Sequence, residues 1–202
     1  MDQVPTIIPP FSLSGFCATV QSKHTANWPP TEMTIATEFV EYFKLEPVVF
    51  MAKLEKLCQE LEITLRVAIL PECLRGHNYR FENKREILIA ESQTVRGTEV
   101  YTALHEMREL LEYEFHDLGI PICTSIDKEE RADEFATSVQ ISAFAKEIPA
   151  LMNQASGIES NWKRWAAYIG LFLVTVIYVV TLSALPLIED TQDGNRRHRL
   201  RG

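Results

Sequence analysis

The run WAAYIGLFLVTVIYVVTLSALPLI, from Trp165 to Ile188, contains no charged residue. As a helix rising about 1.5 Å per residue it reaches roughly 36 Å, more than a hydrocarbon layer of about 30 Å. A core helix of a soluble protein is usually shorter and keeps a polar face. Trp162, Lys163, Arg164 and Trp165 stand at the start of the run as an interfacial belt. The expectation is a single transmembrane helix over 162–188, a polar basic tail over 189–202, and a domain in front that the helix holds to the membrane. The first residues, MDQVPTIIPPFSLSGF, carry an acid where a signal peptide needs positive charge, and prolines interrupt them. Lys163 and Arg164 favour a cytoplasmic domain, while Arg196, Arg197, Arg199 and Arg201 pull the other way. The reading taken is a single-pass membrane protein with its domain in the cytoplasm.

Ahead of the span, a formal charge of −8 argues against direct nucleic-acid binding. Cys17, Cys58, Cys73 and Cys123 are widely spaced and form no C-x-x-C pair, which fits a reducing compartment better than a disulfide scaffold.

Periodicity divides the rest. Residues 1–31 are rich in Pro, Ser and Thr and read as a flexible arm. Ile35, Phe39, Val40 and Phe43 recur at helical spacing. A second helix starting at Pro47 would place Phe50, Leu54, Leu57, Cys58 and Leu61 on one face. The period then drops to two: Ile63, Leu65, Val67 and Ile69 alternate with Glu62, Thr64, Arg66 and Ala68, as in a half-buried strand. REILIAES (85–92) reads as a second strand, followed by a turn at Arg96–Gly97 and a long helix that Gly119 and Pro121 stop. Asp127 and Glu130 have capping-box spacing before a helix striped by Ala132, Phe135, Ala136, Val139 and Ala143. The expected fold is α+β, with a domain over 32–147 and a linker over 148–161.

The long helix carries the chemistry. YTALHEMRELLEYEFHDLG contains His105-Glu106-Met107-Arg108-Glu109, one residue away from the zinc-peptidase pattern H-E-x-x-H. His105 and Glu109 share a face one turn apart, so both side chains can converge on one cation, and a carboxylate is an acceptable zinc ligand. Glu106 lies beside them in the position of a general base. His116 is about 16 Å further along a straight helix and cannot join them; it reads as a cation in the last turn. EERADEFA offers Glu129 as a third ligand and Asp133 as an acceptor for a ligand imidazole. The same residues also read as an ordinary acidic first turn. His24, His77 and His198 read as solvated loop or tail residues.

The order REILIAESQTVRGTEVYTALHEMRE followed by EERADEFATSVQI resembles the ImmA/IrrE-type metallopeptidase domain. TALHE matches that family's helix entry, EERADEFA matches its later E-x-x-A-[ND]-x-F-A segment, and the likeness covers roughly Ile63 to Gln140. It implies a small zincin-like domain, with His105 and Glu129 as zinc ligands and Glu106 as general base. It also implies a protein substrate of the helix-turn-helix repressor type. The chain departs where the family has its second histidine, here Glu109, and at the small residue before it, here Arg108. Arg108 could crowd the site or make a surface pair with Glu112. Two carboxylates and one imidazole neutralise a dication, polarise its water less, and shift preference from Zn2+ towards harder ions such as Mn2+. Three readings follow: an active membrane-anchored metallopeptidase, a metal-poor pseudo-peptidase serving as a tethered binding or sensor module, and a structural membrane protein with a solvated charged helix.

Overall fold

The fold is α+β. In the computed structural model, residues 12–46, 51–82, 84–122 and 125–199 are described. The expected helix starting at Pro47, with Phe50, has those two residues outside this set. The order of elements is α1 (Leu13–Lys23), α2 (Glu32–Tyr42), α3 (Met51–Glu60), β1 (Ile63–Ala68), β2 (Gly76–Phe81), β3 (Lys84–Ala90), α4 (Glu91–Arg96), α5 (Glu99–Leu110), α6 (Glu112–His116), α7 (Ser125–Ala145), α8 (Glu147–Ser156) and α9 (Asn161–Arg199).

The first correction concerns the N-terminal arm. Leu13–Lys23 form α1, capped by the Ser12 hydroxyl, which accepts from the Gly15 amide at 3.1 Å. Phe16, Cys17 and Val20 are buried in the main core. Phe16 meets Phe39 at a ring-centroid distance of 5.7 Å and Phe115 at 6.0 Å. Phe39 in turn meets Phe43 at 4.6 Å and Phe135 at 5.4 Å, so one aromatic cluster joins α1, α2, α6 and α7. His24 ends α1 and pairs through Nε2 with Glu38 at 2.9 Å, and so is not a solvated loop histidine.

Among the described residues, three strands stand where two are expected. Their order is β1-β3-β2, with β1 parallel and β2 antiparallel to the central β3. In GHNYRF the residues opposite Ile89 and Ile87 are Gly76 and Asn78, so the face towards α5 carries no apolar alternation. Close approach explains the glycine: a Cβ at Gly76 would lie 2.6 Å from Glu106 Oε1 and 2.8 Å from Thr102 Cγ2. His77 lies on this strand, exposed. Burial also fades along the edge strand β1, and Ile69, past its end, is 88% exposed. The second expected strand stops at Ala90, and Glu91 opens α4, which Gly97 closes in the left-handed conformation (φ 70°).

The long helix breaks at Leu111, a buried residue, into α5 and α6. His116 does end α6, exposed. Helix α7 begins at Ser125, so Asp127 sits in its first turn and not at its N-cap. The apolar stripe Ala132, Phe135, Ala136, Val139, Ala143 is buried as expected.

Arg108 is only 1% exposed. Its Nε and Nη2 donate to the two oxygens of Glu32 at 2.9 and 2.6 Å, and Nη1 donates to the Glu112 carboxylate. The guanidinium also lies 4.9 Å from the Phe115 ring centroid. Neither a surface pair nor a cation crowding the site, Arg108 is a buried clamp.

Most of the expected linker is helix α8, and α9 extends through most of the expected tail. Asn161–Thr181 of α9 is long and apolar enough to cross a membrane, with a mean hydropathy of 1.7. Tyr178 rests on Phe144 of α7 at 4.4 Å, so this helix touches the domain as well.

Arg108→Ala leaves Glu32 and Glu112 buried without their cation. The expected loss is about 3–5 kcal/mol of unfolding free energy in chemical denaturation of the full chain. A loss under about 1 kcal/mol would place the pair in effective contact with solvent.

Candidate metal centre

Helix α5 presents its functional side chains in two directions. His105 and Glu109, one turn apart, look towards the start of α7, while Glu106 is buried against β2. From α7, Glu129 reaches back, its Oε2 3.3 Å from His105 Nε2. One donor atom each from His105, Glu109 and Glu129 lie within 4.8 Å of one another. Ligands around a tetrahedral zinc at about 2.0–2.2 Å stand roughly 3.4 Å apart, so modest side-chain rotations close this set. The three expected ligands therefore do converge.

Asp133 is also where an outer partner is needed. Its Oδ1 lies 2.7 Å from His105 Nδ1 and accepts from the Tyr101 hydroxyl at 2.7 Å. With Nδ1–H directed at Asp133, a neutral His105 offers the Nε2 lone pair on the side of Glu109 and Glu129. His105 and Glu109 are largely buried, whereas the Glu129 side chain is 66% exposed, so the group opens to solvent on the α7 side.

Three contributors escaped the sequence reading. Tyr101 is one turn before His105, a spacing that was legible. Lys128 precedes Glu129 directly and places Nζ 3.4 Å from Glu109 Oε1. Asn78 carried no signal: it comes from β2, and its Nδ2 donates to Glu106 Oε2 at 2.5 Å and to Glu109 Oε2 at 2.7 Å.

The local charges shift in linked ways. Burial disfavours a charged His105, but its hydrogen bonds to Asp133 and Glu129 outweigh this and raise its pKa to about 10. Burial pushes Glu106 up to about 7, against the lowering effects of the Asn78 hydrogen bond and the nearby His105 charge. The hydrogen bond with His105 holds Glu129 below the usual carboxylate range. Asp133 is also lowered: burial raises it, but the bonds from His105 and Tyr101 prevail.

The donor set fits a divalent cation. A neutral imidazole and two carboxylates balance its charge, and Asp133 orients the imidazole. Zn2+ and Mn2+ both suit this set, the oxygen donors favouring the harder ion. Comparison with known protein families, curated proteins and solved structures finds no match to this chain.

Without an ion, the His105 proton stabilises the fold fully below the ordinary histidine pKa of 6.5, and this contribution is lost as pH rises through about 10. A metal must displace that proton. Affinity for Zn2+ is therefore expected to rise about tenfold per pH unit between pH 6 and 8, read by competition with a chromophoric chelator. A flat profile would remove His105 from the ligand set.

Proposed function

We propose that this chain is a membrane-anchored metallopeptidase-type hydrolase of zincin-like architecture, in which His105, Glu109 and Glu129 hold a divalent cation and Glu106 is the general base. The convergence of one imidazole and two carboxylates from α5 and α7, with Asp133 behind the imidazole, carries this reading. When bound, the ion supplies an electrophile that polarises the scissile carbonyl and the attacking water. Glu106 accepts the water's proton at its carboxylate and passes it to the departing amine nitrogen. The peptide C–N bond breaks, and the water oxygen remains on the acyl carbon. Burial raises the proton affinity of Glu106, which suits a carboxyl that takes up a proton and hands it on.

The proposed substrate is a protein or peptide. By the family likeness it is a helix-turn-helix repressor-type regulator, brought to a cytoplasmic domain that α9 anchors as a single transmembrane pass. Nucleic acid is not a direct partner.

One observation favours a second reading. Both oxygens of Glu109 already have partners in Asn78 and Lys128, and His105 is tied between Glu129 and Asp133. A cluster that balances its own charges can persist without an ion, as a pseudo-peptidase binding a peptide would require.

Metal analysis of the purified full chain, beside Glu109→His, separates the two. The domain expected over 32–147 is unsuitable by itself, because α1 belongs to the core. Stoichiometric metal in the unmodified chain supports the hydrolase; metal only in Glu109→His supports the pseudo-peptidase. Glu106→Gln is expected to retain the metal and lose cleavage by a factor of about 10²–10⁴. Undiminished proteolysis by that variant would remove Glu106 as the base. Full-length chain is expected to resist alkaline carbonate extraction from membranes, and release into the soluble fraction would rule out the span.

A further inference from the structure

Among the described residues, Asn78 is the side chain that joins Glu106 to Glu109. It lies on β2, two residues after Gly76, on the face that looks at α5. Its amide nitrogen has two hydrogens, and each has a carboxylate in reach: Glu106 Oε2 at 2.5 Å and Glu109 Oε2 at 2.7 Å. The orientation of the amide follows from the chemistry, because a flip would turn the carbonyl oxygen towards two carboxylates. Gly76 sets the distance independently. With no Cβ, its backbone lies directly against Glu106, where a methyl would fall 2.7 Å from Glu106 Cγ. The strand is thus close enough for a side chain as short as asparagine to span both acids.

The two carboxylates need such a bridge. They are three residues apart on one helix, repel each other when both are charged, and have different tasks. Glu109 must turn an oxygen towards His105 and Glu129, whereas Glu106 must stay out of that group and keep an oxygen for a proton. A shared donor holds Oε2 of each acid, while Glu106 Oε1 lies against Gly76 on the strand. On Glu109 the remaining oxygen, Oε1, is the one beside Lys128 Nζ.

We infer that Asn78 is a positioning residue, which orients Glu109 as a ligand and keeps Glu106 outside the coordination group through the two N–H groups of one amide. This deepens the metal-centre reading and rests on it. Among the described residues, no other side chain donates a hydrogen bond to both acids.

The test uses the full chain in detergent, with Zn2+ and Co2+ as the probes. Asn78→Ala and Asn78→Leu remove both donors, the second at nearly the same volume; circular dichroism checks that each retains the secondary structure. The expected result is a 10–100-fold weaker affinity for both ions and a changed cobalt ligand-field absorption. A residue that merely supported the strand would lower the thermal transition of the metal-free chain while leaving affinity and spectrum alone. Wild-type affinity and spectrum in both variants would overturn the role of Asn78 and leave the metal centre standing. Absence of metal from the unmodified chain would overturn the metal centre, and this inference with it.

Discussion

A guanidinium removed from water is tolerable only if its charge is met inside the protein, and Arg108 imposes that condition on the centre of the fold. Glu32 supplies a two-oxygen partner from α2, and Glu112 supplies a second carboxylate from α6. Burial works against the cation, but the two acids outweigh it and keep Arg108 charged. Three elements are fixed to one point, and with them the rotation of α5 about its axis. A helix held by Arg108 has little freedom to turn, so His105 and Glu109 stay towards α7 and Glu106 stays towards β2. Arg108 thus connects the core to the cluster of His105, Glu109 and Glu129.

The site is organised around unequal burial of acids. Glu106 is enclosed by α5 and β2, and loss of hydration raises its proton affinity. Glu129 and Asp133 are wetter and lie against a protonated imidazole, which lowers theirs. The acids of one cluster are separated in proton affinity by environment and not by residue type. The cationic groups beside these acids are the His105 imidazolium and the Lys128 side chain.

Much of this was readable in the chain. The i, i+4 pair His105–Glu109 and the spacing of Glu129 and Asp133 on the next helix are local facts, and helical geometry alone gives each its direction. The buried stripes of α2 and α7 followed from periodicity for the same reason. Strand β2 was not readable: an edge strand whose inward residues are Gly76 and Asn78 has no apolar alternation to detect. The break at Leu111 was hidden too, since neither proline nor glycine marks it. Helix α1 escaped because its Pro- and Ser-rich surroundings conceal the few apolar residues, Phe16 and Val20 among them, that the core receives.

The amino-acid order by itself determined the class of elements, the apolar length of α9, and which helical residues share a face, because these depend on spacing within a few turns. Only the tertiary structure decided that Arg108 faces inward, that Glu129 reaches His105 across a helix pair, and that Asn78 closes the group from a strand. Those contacts join residues from 24 to 76 positions apart, and no local period carries information over such separations.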